Sequence, residues 1–100
     1  MWTLEDALPL IRKLSEIALR NGFSVALSGG VLDRGSSEHD LDLFFVQKRP
    51  KSCNVGGCLT EIAALPEIYH VGLIRECESG ELCTFWLTDG RHIDAQFRRL

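Results

Sequence analysis

Asp40-Leu41-Asp42-Leu43 alternates two carboxylates with two leucines and runs on into Phe44, Phe45 and Val46. Side chains alternate across a strand, so Asp40 and Asp42 point to one side while Leu41 and Leu43 point to the other. The pattern recurs near the end of the chain, where His92, Asp94 and Gln96 share one face and Ile93, Ala95 and Phe97 the opposite one. A strand of this kind fits only a two-faced sheet, apolar against helices on one side and polar on the other. If the two strands are neighbours, three carboxylates converge on the polar side.

The rest of the pattern supplies the partners. From Thr3 to Asn21 the residues Leu4, Ala7, Leu8, Ile11, Leu14, Ile17 and Ala18 recur at three and four, the period of an amphipathic helix. Thr3 is placed to cap it, Asp6 holds the capping-box position and Gly22 is the stop. Pro9 would remove a mid-helix hydrogen bond, so the regular part is expected from near Leu8 if Pro9 occupies the first turn. Phe23 to Leu27 reads as a buried strand entering a tight turn at Ser28-Gly29-Gly30, and Leu41 to Val46 as a second strand. Residues 47–57 read as a loop, and Cys58 to Leu65 as a short helix stopped by Pro66. Ile68 to Cys77 and Leu82 to Leu87 form a hairpin around Glu78-Ser79-Gly80-Glu81, and after the Asp89-Gly90 turn a last strand runs from His92 to Phe97. This order predicts an α+β fold with a mixed or antiparallel sheet and helices on one face.

With 100 residues, 45% of them apolar, the chain fits one domain over residues 1–100. Glu5 and Asp6 interrupt the stretch after Met1, which therefore does not read as a signal peptide, and no run is long enough to cross a bilayer. The expectation is a soluble cytoplasmic protein with no membrane partner. Cys53, Cys58, Cys77 and Cys83 are accordingly expected as free thiols. A net charge of −3 argues against a strong grip on nucleic acid, which calls for a basic excess or a dense basic face.

Carboxylates gathered on one face repel and raise each other's pKa unless something cationic sits among them. A hard divalent ion held by Asp40, Asp42 and Asp94 is the usual remedy, and carboxylate oxygens are the ligands that Mg²⁺ prefers. Two such ions beside a phosphate-sized cleft can activate an attacking oxygen and steady a leaving group. Gly29 and Gly30 allow close backbone approach, so that the turn can offer N–H groups to phosphate, and Arg34 lies just beyond.

Ser28-Gly29-Gly30, nine intervening residues, Asp40-Leu41-Asp42-Leu43-Phe44 and the later Ile93-Asp94-Ala95-Gln96-Phe97 resemble the signature of the nucleotidyltransferase superfamily that includes DNA polymerase beta. The resemblance runs from about Phe23 to Phe97, and the first helix is also where that family has one. It implies a mixed sheet of about five strands with helices packed on one face. By the same resemblance Asp40 and Asp42 are the metal-binding pair, Asp94 is the third carboxylate that acts on an acceptor hydroxyl, and Gly29 and Gly30 form the triphosphate-binding turn. The implied substrate is a nucleoside triphosphate and the implied cofactor Mg²⁺ or Mn²⁺. Two positions depart from the pattern: Ser28 stands where the family usually has an apolar residue, and Gly30 where many active members have a serine. A chain of this size resembles the minimal nucleotidyltransferases, some of which are antitoxins.

Two functions follow. The first is metal-dependent transfer of a nucleoside monophosphate from a nucleoside triphosphate to a hydroxyl. The second is a non-catalytic module of the same fold that binds a protein partner such as a toxin, which Gly30 and the small size favour. Other features have plainer readings. Cys53, Cys58, Cys77 and Cys83 with His70 and His92 are spaced too loosely for a structural zinc site and suit small core positions better. Lys48-Arg49-Pro50-Lys51 reads as a solvated turn, Ser36 and Ser37 as loop residues, and His39 as a residue that tunes the pair or faces water. Phe85 and Trp86 alternate between core and surface of their strand.

Overall fold

A computed structural model describes residues 1–38, 40–48, 53–77 and 80–99. The chain opens with a two-residue strand, β1 (Trp2–Thr3), and the first helix, α1 (Leu4–Arg20). Thr3 caps α1 by accepting a hydrogen bond from the Asp6 N–H at 3.1 Å. Ala7, Leu10, Leu14, Ile17 and Ala18 form its buried stripe. The helix is continuous through Pro9, so the later start near Leu8 is corrected. Pro9 and Glu5, whose carbonyl the missing N–H would have met, are both on the exposed side, where the lost bond costs least. Gly22, at φ +89°, turns the chain out of the helix.

Next come β2 (Phe23–Ser28), a short helix α2 (Gly29–Arg34), a second two-residue strand β3 (Ser36–Ser37) and β4 (Asp40–Gln47). The glycine pair thus opens a helical turn where a tight turn was expected. The chain continues through α3 (Val55–Ala63), β5 (Ile68–Cys77), β6 (Gly80–Leu87) and β7 (His92–Arg98). The start of α3 lies three residues ahead of the expected Cys58, because the Asn54 side chain caps it by accepting from the Gly57 N–H at 2.9 Å. That cap outweighs the poor helix propensity of Gly56 and Gly57. The expected turn residues Glu78 and Ser79, the loop residues Arg49, Pro50 and Lys51, and His39 lie outside the described residues.

Five strands form one mixed sheet in the order β2-β4-β7-β6-β5, while β1 and β3 pair separately. The pairings β2/β4, β5/β6 and β6/β7 are antiparallel, and the central pair β4/β7 is parallel. The expected α+β class and mixed sheet are therefore present. Leu41, Leu43 and Phe45 of β4 share one core with Ile93, Ala95 and Phe97 of β7 and the buried stripe of α1. The Phe45 and Phe97 rings stack at 4.6 Å, and Phe23 meets Phe97 edge-on at 5.2 Å. Cys58 and Ile62 bring α3 into the same core. Among the described residues no helix is long and apolar enough to cross a membrane.

Cys53, Cys58 and Cys83 are free thiols. Burial pushes Cys58 up to about 12 and Cys83 up to about 11, which leaves both as inert packing groups.

Candidate metal centre

The parallel register of β4 and β7 puts Asp42 opposite Asp94 and Asp40 opposite His92. On the flanking strands Ser28 pairs with Asp42, Thr84 with Asp94, and Trp86 with His92. Since side-chain direction is shared across paired positions, these residues line the face opposite the core. Asp40, Asp42, His92 and Asp94 are all half-buried.

Ligand atoms of Asp40, His92 and Asp94 lie within 4.8 Å of one another, forming the one such group among the described residues. It contains no cysteine. Asp42 stands beside this group, close enough to share a hydrogen bond with Asp40 and to feel the charge of Asp94. The Ser37 hydroxyl donates to Asp40 Oδ1 at 3.2 Å and accepts from the Asp40 N–H at 3.4 Å. Thr84 Oγ1 donates to Asp94 Oδ1 at 3.3 Å.

The three carboxylates differ in acidity. Partial burial, reinforced by the Asp40 charge and then by Asp94, pushes Asp42 up to about 6. Partial burial and the hydrogen bond with Asp40 also raise Asp94. Partial burial works against ionised Asp40 too, but hydrogen bonds from Asp94, Ser37 and Asp42 together hold it below the usual carboxylate range. A site that holds one proton back among closely placed carboxylates gains by exchanging that proton for a cation. The donor set, oxygen-rich with one imidazole, fits a divalent ion.

The glycine pair meets the carboxylates directly. Gly29 has φ +71°, and a Cβ built on it would fall on the Asp42 carboxylate. Only glycine gives both that backbone conformation and that approach. Arg34, on the exposed side of α2, folds its guanidinium back over Gly30, where an added Cβ would lie 2.5 Å from Nη2. Among the described residues it forms no ion pair.

Two hollows adjoin the site. One, of about 450 Å³, is lined by Ser28, Asp42, Phe44, Leu82, Asp94 and Gln96. The other, of about 440 Å³, is lined by Arg34, Ser36, Ser37, Glu38 and Asp40. Asp42 thus borders one hollow and Asp40 the other.

All six candidate residues, Gly29, Gly30, Arg34, Asp40, Asp42 and Asp94, gather at this end of the sheet. Three further contributors were not singled out from the sequence. In the sequence His92 stands out only as a conceivable partner for cysteine, although its alternation with Ile93 puts it on the face of Asp94. Ser37 reads as a loop residue in the sequence and is buried against Asp40. Thr84 carried no signal, since its role depends on a strand pairing that alternation alone does not specify. No protein-family model matches the chain, and comparison with curated proteins finds no match either.

Proposed function

We propose that this protein is a metal-dependent nucleotidyltransferase of the polymerase-beta-like type, moving a nucleoside monophosphate from a nucleoside triphosphate to a hydroxyl. The observation that carries the proposal is the pairing of Asp42 with Asp94 on parallel strands, with Gly29 packed against the Asp42 carboxylate. Asp40, Asp42 and Asp94 are the residues that would hold Mg²⁺ or Mn²⁺. Bound ions would neutralise the polyphosphate and polarise the reacting phosphoryl group. Arg34, over the hollow that Asp40 borders, would contact phosphate oxygens. Asp94 borders the other hollow, and its raised pKa makes it a better proton acceptor for an incoming hydroxyl than an ordinary carboxylate. The buried free thiols agree with a cytoplasmic setting.

A second reading is the non-catalytic module of the same fold. It is favoured by Gly30, which offers no hydroxyl to phosphate, and by Tyr69 and Trp86, aromatics that stand 78% and 42% exposed. Incubation with labelled nucleoside triphosphates, Mg²⁺ or Mn²⁺ and a cell extract separates the two. Label transferred to a defined acceptor supports the enzyme. Absence of transfer, with capture of a stoichiometric protein partner, supports the module.

A further inference from the structure

We propose that His92 is itself a metal ligand, through Nε2, and that it makes the site prefer a first-row transition ion to Mg²⁺. The inference rests on the metal-dependent reading and specifies which ion that site takes.

The first argument is distance. His92 Nε2 lies 3.8 Å from Asp94 Oδ2. That is too long for a hydrogen bond, which would bring the two atoms to about 3 Å. Two ligands on opposite sides of one ion, each at about 2.1 Å, stand about 4 Å apart. Asp40 completes the group, with ligand atoms of all three residues within 4.8 Å of one another.

The second argument is that the residue is held in place, its backbone by a hydrogen bond and its ring by packing. The Trp2 indole N–H donates to the His92 carbonyl at 3.0 Å. The Trp86 ring lies against the imidazole with centroids 4.8 Å apart, tilted by 40°. Only 24% of the His92 side chain is exposed. A ligand fixed in this way loses little freedom when it binds, so more of the contact energy appears as affinity.

The third is donor chemistry. Mg²⁺ is a hard ion that keeps to oxygen and gives up water reluctantly. Imidazole suits first-row transition ions such as zinc, iron and nickel, whereas Mg²⁺ is served by oxygen donors. Two carboxylates and one imidazole therefore bias the site away from an all-oxygen ion.

The test uses the full chain and Mn²⁺ as probe. Pulsed paramagnetic resonance of the bound Mn²⁺ should show coupling to an imidazole ¹⁴N in the wild type. The coupling should persist in His39→Gln and His70→Gln and vanish in His92→Gln. Removing a direct ligand should weaken Mn²⁺ by at least about tenfold, the scale on which even outer-shell partners act. Mg²⁺ affinity, read by competition, should change by no more than about twofold. Mn²⁺ bound without ¹⁴N coupling, or coupling lost in His39→Gln or His70→Gln, overturns the inference and leaves the metal-dependent reading standing. Wild type that binds neither ion, even beside a non-hydrolysable nucleoside triphosphate, overturns both. Should His92→Gln fail to fold by circular dichroism, the wild-type, His39→Gln and His70→Gln spectra still decide.

Discussion

Asp42 faces Asp94 across the parallel pairing of β4 and β7, and partial burial together with the neighbouring charges of Asp40 and Asp94 pushes Asp42 up to about 6. An ordinary aspartate in the unfolded chain loses its proton near 3.9. Between about pH 4 and pH 6 the unfolded state therefore releases this proton while the folded state keeps it. Stability from this group is full below pH 4, falls as the pH rises through 6, and is level beyond. In chelator, the wild type should lose stability relative to Asp42→Asn across that window, by at most about 1 kcal/mol because the group stays partly hydrated. Urea melts of the two proteins from pH 4 to pH 8 measure the difference. With Mn²⁺ at about a hundred times its dissociation constant, the wild type should gain about 2.7 kcal/mol and the variant should lose most of it.

Gly29→Ala should destabilise the fold by about 1 to 3 kcal/mol, since the new methyl meets the Asp42 carboxylate at a backbone conformation that alanine resists. Adding Asp42→Gly removes the collision but not the strained φ, so stability should return only in part. Full recovery in the double variant would mean that the backbone conformation costs nothing.

Asp94→Asn should slow nucleotidyl transfer by about a hundredfold or more, the usual contribution of a positioned base. Mn²⁺ affinity should fall as well, because Asp94 shares the ligand group with Asp40 and His92. Circular dichroism should match the wild type, as the apolar side of β7 is untouched. A variant that transfers label at the wild-type rate removes Asp94 from the reaction.

Phe97→Ala should cost about 3 to 5 kcal/mol, the range for a buried aromatic truncated to alanine. Phe97 is 1% exposed and holds both Phe45 and Phe23. Because β7 carries Asp94 on its reverse, Mn²⁺ binding should fail over the same temperature range as the fold. Separate transitions by calorimetry and by Mn²⁺ resonance would uncouple core from site.

Alternation made much of this legible. Leu41, Leu43 and Phe45 on one side and Asp40 and Asp42 on the other leave one way to lie between a core and solvent, and Ile93, Ala95 and Phe97 repeat it. The helical period of Leu10, Leu14 and Ile17 was equally plain. Local chemistry misled at Gly29 and Gly56, where glycine suggested a turn or loop but lies within helical structure. β1 and β3 were beyond reach, since two residues carry no period. The roles of His92, Thr84 and Ser37 depend on register and tertiary contact, which a single segment does not contain.

Parallel pairing at the centre of the sheet has a consequence in time. Antiparallel neighbours can be joined by a tight hairpin, but Asp42 and Asp94 meet only after about fifty residues have looped out and returned, and closing so long a loop costs conformational entropy before any contact compensates it. Non-local pairings of this kind are slow to form. A chain emerging from the ribosome with only β4 exposed carries two of the carboxylates and no site, so any ion the site holds would have to wait until β7 has been made and docked.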